Sequence, residues 1–118
     1  MDHEKINYLE FAAKDLDSTK SFFKNVFNWQ FTDYGPEYTA FGKADAGIDG
    51  GFYLASDTST QATGGALTVF FSQDLEKTME SVRNNGGVIN KPVFEFPGGR
   101  RFHFLEPSGN EFAVWSDS

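Results

Sequence analysis

Apolar positions along this chain follow two spacings that take turns. The run from Ile6 to Ala12 has strand character and gives way at once to Asp15 and an apolar stripe of Leu16, Phe22, Phe23, Val26 and Phe27. That stripe keeps close to the 3.6-residue spacing of a helix buried on one side, and Asp15 stands where a side chain can cap the helix start. The same succession returns half a chain later. Leu67 to Phe71 reads as a strand, Asp74 as the cap, and Leu75, Met79 and Val82 as the helix stripe. Ala13-Lys14-Asp15-Leu16-Asp17-Ser18-Thr19 and Ser72-Gln73-Asp74-Leu75-Glu76-Lys77-Thr78 align 59 residues apart, so the chain reads as a tandem duplication.

Three short β-like runs follow each helix. In the first half they are Trp29 to Tyr34, Glu37 to Lys43 and Gly51 to Leu54, with Gly35-Pro36 as a turn. In the second they are Val88 to Phe96, Arg101 to Leu105 and Glu111 to Ser116, with turns at Pro97-Gly98-Gly99 and Pro107-Ser108-Gly109-Asn110. Asn85-Gly86-Gly87 ends the second helix, because glycine accepts the left-handed conformation of a helix end. Each half is then β-α-β-β-β: module 1 covers about 4–55, module 2 about 65–117, and the Ser-, Thr- and Gly-rich stretch 56–64 links them within one domain, 1–118. The predicted class is α+β, with both helices against one face of a mixed sheet.

Alternation along the strands separates the faces. Leu9, Phe11 and Ala13 meet the helices, as do Phe102 and Phe104, and Phe112 and Val114. The other face then carries Tyr8, Glu10, Arg101, His103, Glu111 and Trp115 among Leu67, Val69, Phe71 and Ala113. An apolar wall with a few polar groups is what a small-molecule pocket requires. Glu10 is the preferred general base there, provided that burial beside Tyr8 and the apolar strands favours its protonated form. His103 is the second candidate, since imidazole gives or takes a proton near neutral pH. Arg101 is suited to a substrate carboxylate or phosphate, and Trp115 with Tyr8 to stacking a ring. Glu111, Phe71 and Val69 complete the candidate ligand-binding set. Two other arrangements are open: Glu10 paired with Arg101, or Glu10, His103 and Glu111 together as an open metal site.

Composition narrows the partners. No apolar run nears the roughly 20 residues that span a bilayer. The polar start Met1-Asp2-His3-Glu4-Lys5 and the absence of cysteine lead us to expect a cytoplasmic chain without disulfides or thiolate chemistry. A net charge of −7 opposes binding to nucleic acid. Fourteen phenylalanines call for a dense core or an aromatic-lined cavity.

Several segments, in this order, resemble the vicinal oxygen chelate superfamily, which includes glyoxalase I, bleomycin-resistance proteins and extradiol dioxygenases. They are the strand leading into Lys14-Asp15-Leu16-Asp17-Ser18-Thr19 and Phe22-Phe23, then Val26-Phe27-Asn28-Trp29, Asp49-Gly50-Gly51-Phe52, Gln73-Asp74-Leu75-Glu76, and Gly99-Arg100-Arg101-Phe102-His103-Phe104 with Glu106-Pro107-Ser108-Gly109-Asn110. The resemblance covers essentially the whole chain and implies paired modules curling into a cup, usually in a homodimer. Metal-dependent members hold a divalent ion through His, Gln or Glu on the first and last strands of each module. Carried over, those places fall on Tyr8, Leu67, Ala113 and the neighbourhood of Leu54, none of them a usual ligand. The expectation is therefore a glyoxalase-like protein that binds a small organic molecule in its cup with no metal or other cofactor. Alternatives are a module that sequesters a cationic drug of the bleomycin type, and a metal-dependent lyase or dioxygenase with a non-standard site.

Overall fold

The two aspartates aligned by the duplication both cap helices in the computed structural model, which describes residues 1–118. In chain order the elements are β1 (Tyr8–Ala13), α1 (Leu16–Phe27), β2 (Phe31–Asp33), β3 (Tyr38–Phe41), α2 (Lys43–Ala46), β4 (Asp49–Leu54), β5 (Thr68–Phe71), α3 (Leu75–Asn84), β6 (Val88–Phe96), β7 (Gly99–Leu105) and β8 (Glu111–Ser116). Asp15 accepts from the Ser18 amide at 3.1 Å and Asp74 from the Lys77 amide at 3.2 Å. Each cap satisfies a backbone donor that the first helical turn leaves free, worth about 1 kcal/mol. α1 ends on Asn28 in the left-handed region, and Gly86 takes a φ of +94° just past α3.

The expected β-α-β-β-β order holds in both halves, with corrections in detail. The sheet is not continuous but consists of two four-stranded sheets, ordered β1-β4-β3-β2 and β5-β8-β7-β6. In each, the first strand pairs in parallel with the last, and the remaining pairs are antiparallel. No ladder joins β1 to β5, so each keeps one edge without strand partners. Trp29 lies outside β2: its indole stacks on Phe23 at 4.7 Å and leans at a tilt on Phe41 at 4.6 Å, and burial drew it out of the strand pattern. Lys43 opens the short helix α2 instead of closing a strand, and Gln61–Thr63 forms a 3-10 turn within the linker.

Both long helices pack on the same side, as the alternation predicted. A single cluster joins Ala13, Phe41 and Phe52 of the first sheet, Phe22 and Phe23 of α1, Leu75 and Val82 of α3, and Phe102, Phe104, Phe112 and Val114 of the second sheet. Phe23 touches both sheets, its ring 5.4 Å from Phe52 and 5.3 Å from Phe112. Burying such a side chain contributes roughly 1.5–3 kcal/mol, so much of the stabilisation is shared between the halves. Most of the phenylalanine surplus is accounted for by this core. No helix is long and apolar enough to cross a membrane.

A polar clamp adds to this union. The turn after β7 buries Glu106, Ser108 and Asn110 against the start of α1. Thr19 donates to Glu106 Oε1 at 2.6 Å, the Asp15 amide to Ser108 Oγ at 3.2 Å, and Asn110 Nδ2 to the Ala12 carbonyl at 2.7 Å. Asn110 also accepts from the Ser59 amide at 2.9 Å.

Candidate functional site

Strand register aligns the helix-free faces of the two sheets row by row. In the first sheet Glu10 is level with Gly51 and Ala40, and Ala12 with Tyr53 and Tyr38. In the second, Val69 is level with Ala113 and His103, and Phe71 with Trp115 and Arg101. Equivalent strand positions thus carry different chemistry, and the candidate residues separate into two clusters.

The first-sheet cluster is a chain of oxygens. Tyr38 donates to Glu10 Oε2 at 2.8 Å, and the Tyr8 and Tyr38 hydroxyls lie 2.6 Å apart, so Tyr8 donates to Tyr38. Burial, together with the bonds to Tyr8 and Glu10, pushes the Tyr38 phenol well above its usual range. Tyr38 lies across Gly51, where any Cβ would run into the phenol oxygen and the Thr39 carbonyl. Sequence reasoning missed Tyr38, although Tyr38 and Ala40 alternate with the buried Thr39 and Phe41 as a helix-free pair must. Glu10 itself is exposed, so the burial required for its role as base is absent. Its partner is Tyr38, not Arg101.

In the second sheet Glu111 and His103 are buried together, at 6% and 0% exposure. Glu111 Oε2 lies 2.8 Å from His103 Nδ1 and accepts from Asn90 Nδ2 at 3.1 Å, while Oε1 accepts from the Gln61 amide at 2.8 Å. Burial alone would raise the Glu111 carboxyl. The Gln61, His103 and Asn90 hydrogen bonds outweigh it and hold the group below the ordinary glutamate value. With Glu111 ionised, Nδ1 of a neutral His103 carries the proton and Nε2 presents its lone pair. That Nε2 is buried and has no partner.

Arg101 stands beside this pair. Its guanidinium carbon lies 5.3 Å from the Phe94 ring centroid and 6.0 Å from that of Phe96, a cation–π arrangement, and its buried Nε has no partner. Arg100 forms the ion pair with Glu76, leaving Arg101 without a carboxylate. Val69, Phe96, Gly98, Arg101 and Trp115 line a pocket of about 330 Å³. Trp115 meets Phe71 at 5.1 Å and Phe96 at 6.1 Å. Its aromatic neighbours are these two, whereas Tyr8, expected to join it in stacking a ligand ring, is bonded to Tyr38 in the first sheet. Phe94 and Phe96 were legible from their two-residue spacing in β6, whereas Asn90 and Gln61 reach Glu111 only through the tertiary fold.

The four places that hold a divalent ion in the metal-dependent proteins do not fit one here. Glu10 pairs with Gly51 as Val69 pairs with Ala113, so the fourth place is Gly51 and not the neighbourhood of Leu54. Tyr8, Gly51, Leu67 and Ala113 offer one phenol among them. Nor do Glu10, His103 and Glu111 form a cation site: only the last two meet, and no group of three or more His, Cys, Asp or Glu residues is placed to hold a metal.

The family model described as the Glyoxalase/Bleomycin resistance protein/Dioxygenase superfamily matches residues 5–114. A glyoxalase/bleomycin resistance protein/dioxygenase family enzyme from Burkholderia phytofirmans PsJN is similar in structure, with a TM-score of 0.78 at 17% identity over 95% of this chain and 98% of that one. The genomically encoded fosfomycin resistance protein FosX from Listeria monocytogenes gives 0.78 at 19% over 98% and 95%. Lactoylglutathione lyase from Agrobacterium tumefaciens gives 0.69 at 16% over 97% and 94%. At these identities the structures share the fold alone. No curated protein matches the chain.

Proposed function

The chain belongs to the glyoxalase/bleomycin resistance protein/dioxygenase superfamily, and on that premise we propose that it binds a small organic anion on the helix-free face of its second sheet. One observation carries the reading: Arg101, without a carboxylate, stands in a pocket walled by Phe96 and Trp115 in a chain of net charge −7. A guanidinium takes carboxylate or phosphonate oxygens through paired N–H donors, and the rings take the apolar remainder. A cationic drug of the bleomycin type is disfavoured by the same guanidinium.

His103 shares a strand row with Val69 of the pocket, and its unpartnered Nε2, buried in the free protein, supports a second reading, in which ligand entry uncovers this nitrogen and the bound anion also loses a proton. Glu111 then serves as a positioning residue that keeps the proton on Nδ1 and Nε2 free to accept. Glu10 has no part in either reading, because its carboxylate is bonded to Tyr38.

Calorimetric titration with benzoate, phenylphosphonate and benzylamine tests the first reading. The two anions bind and the amine does not, and Arg101→Met weakens anion binding at least tenfold, the loss of a charge-assisted pair. Preference for the amine, or an unchanged affinity in Arg101→Met, overturns it. Repeating the titration with a 2-oxo acid in D2O and following its C3 protons by NMR tests the second. Exchange catalysed by the native protein and lost in His103→Gln supports proton transfer, and equal rates in both refute it.

A further inference from the structure

Beyond the pocket at Arg101, the seam between the two sheets holds a second cavity of about 390 Å³, within the range of sites that accept organic ligands. It lies where β1 and β5 form no ladder with each other, and side chains of both strands wall it. Leu9, Phe27, Trp29 and Phe70 stand among its walls, together with Val69 and Phe71. Asp45 is its one charged wall residue, and that carboxylate accepts from the Gln30 amide at 2.9 Å.

The two cavities are neighbours. Val69 lines both. Phe71 lines the seam cavity, and its ring lies 5.1 Å from Trp115, which lines the Arg101 pocket. Val69 and Phe71 are also 40% and 50% exposed, which leaves them free to give way to a ligand. The chemistry of the pair is polarised: a cation without a carboxylate at one end, and hydrocarbon with a carboxylate at the other. An anionic group is drawn to Arg101 and repelled by Asp45, so only one orientation of an amphiphile suits both.

Resting on the anion-binding reading above, we infer that the ligand class is amphiphilic carboxylic acids, held with the carboxylate on Arg101 and the apolar tail passing Val69 into the seam cavity. Arg101 then selects for charge and the seam selects for tail length. Short acids fill the first pocket alone.

The chain has two tryptophans, Trp29 in the seam cavity and Trp115 in the Arg101 pocket, so each cavity carries its own reporter. Calorimetry with straight-chain acids from hexanoate to decanoate reads affinity, and 19F NMR of protein labelled with 5-fluorotryptophan reads location. Affinity rises roughly fourfold per methylene, the transfer value converted to a binding ratio, and decanoate shifts both fluorine resonances while benzoate shifts that of Trp115 alone. Ala46→Leu, which fills the seam cavity from α2 away from Arg101, flattens the dependence on length. Binding of benzoate with affinity flat in tail length and a silent Trp29 resonance overturns the inference and leaves the anion site standing. Failure of every acid to bind removes both, and decanol binding as tightly as decanoate refutes the placement of the carboxylate on Arg101.

Discussion

Glu111 shows how neighbours set the charge of one buried side chain. Its carboxylate accepts from Gln61, Asn90 and His103, and these bonds hold it ionised despite burial. Its folded pKa lies below the unfolded value, so the unfolded chain binds more protons in the interval between the two, and stability rises with pH there. This contribution is complete above the unfolded value, near 4.5, and disappears as pH falls through the lower folded value. Glu111→Gln therefore unfolds at lower urea than the native protein at pH 7, by roughly 1–3 kcal/mol for a buried charged acceptor. Urea titrations at pH 7, 5 and 3 show that gap closing below pH 4.5, and a gap independent of pH contradicts the assignment. Alternation placed Glu111 and His103 on one face. It did not show that Gln61 of the linker covers them.

At the scale of elements, the turn between β7 and β8 does more than reverse the chain. Pro107-Ser108-Gly109-Asn110 was legible as a turn from its residue types, and Gly109 takes the positive φ of +99° that such a turn demands. Its polar side chains are spent elsewhere, on Ala12, Asp15, Thr19 and Ser59. Asn110 alone serves the Ala12 carbonyl, the Ser59 amide and Glu106 Oε2. Asn110→Ala strands the Ala12 carbonyl and the Ser59 amide, while Glu106 Oε2 keeps the backbone amide of residue 110, and costs about 3 kcal/mol in urea unfolding, since each unsatisfied partner costs roughly 1–3 kcal/mol. A loss below about 0.5 kcal/mol, the size of an ordinary surface change, shows the clamp to be ornamental.

For the whole molecule, the decisive fact is one core built from two repeats. Phe23 of α1 packs against strands of both sheets and Phe22 against Phe104 of the second, so neither half can open without exposing apolar surface of the other. Unfolding is accordingly a single transition. Trp115→Phe leaves Trp29 to report on the first half, and Trp29→Phe leaves Trp115 to report on the second. In each variant the fluorescence midpoint in urea coincides with the far-ultraviolet circular dichroism midpoint, and separate midpoints would show that the halves unfold independently. The amino-acid sequence by itself determined the duplication, the capped helices, the strand order along the chain and the face on which each candidate residue lies. These depend on local periodicity and on chemistry within a few residues. Only the tertiary structure decided that the sheet divides at β1 and β5, that Tyr38 and not Arg101 takes Glu10, and that the seam holds a cavity next to the Arg101 pocket. Those outcomes arise from contacts between residues tens of positions apart, whose distances depend on how the two modules pack and leave no trace in a local pattern.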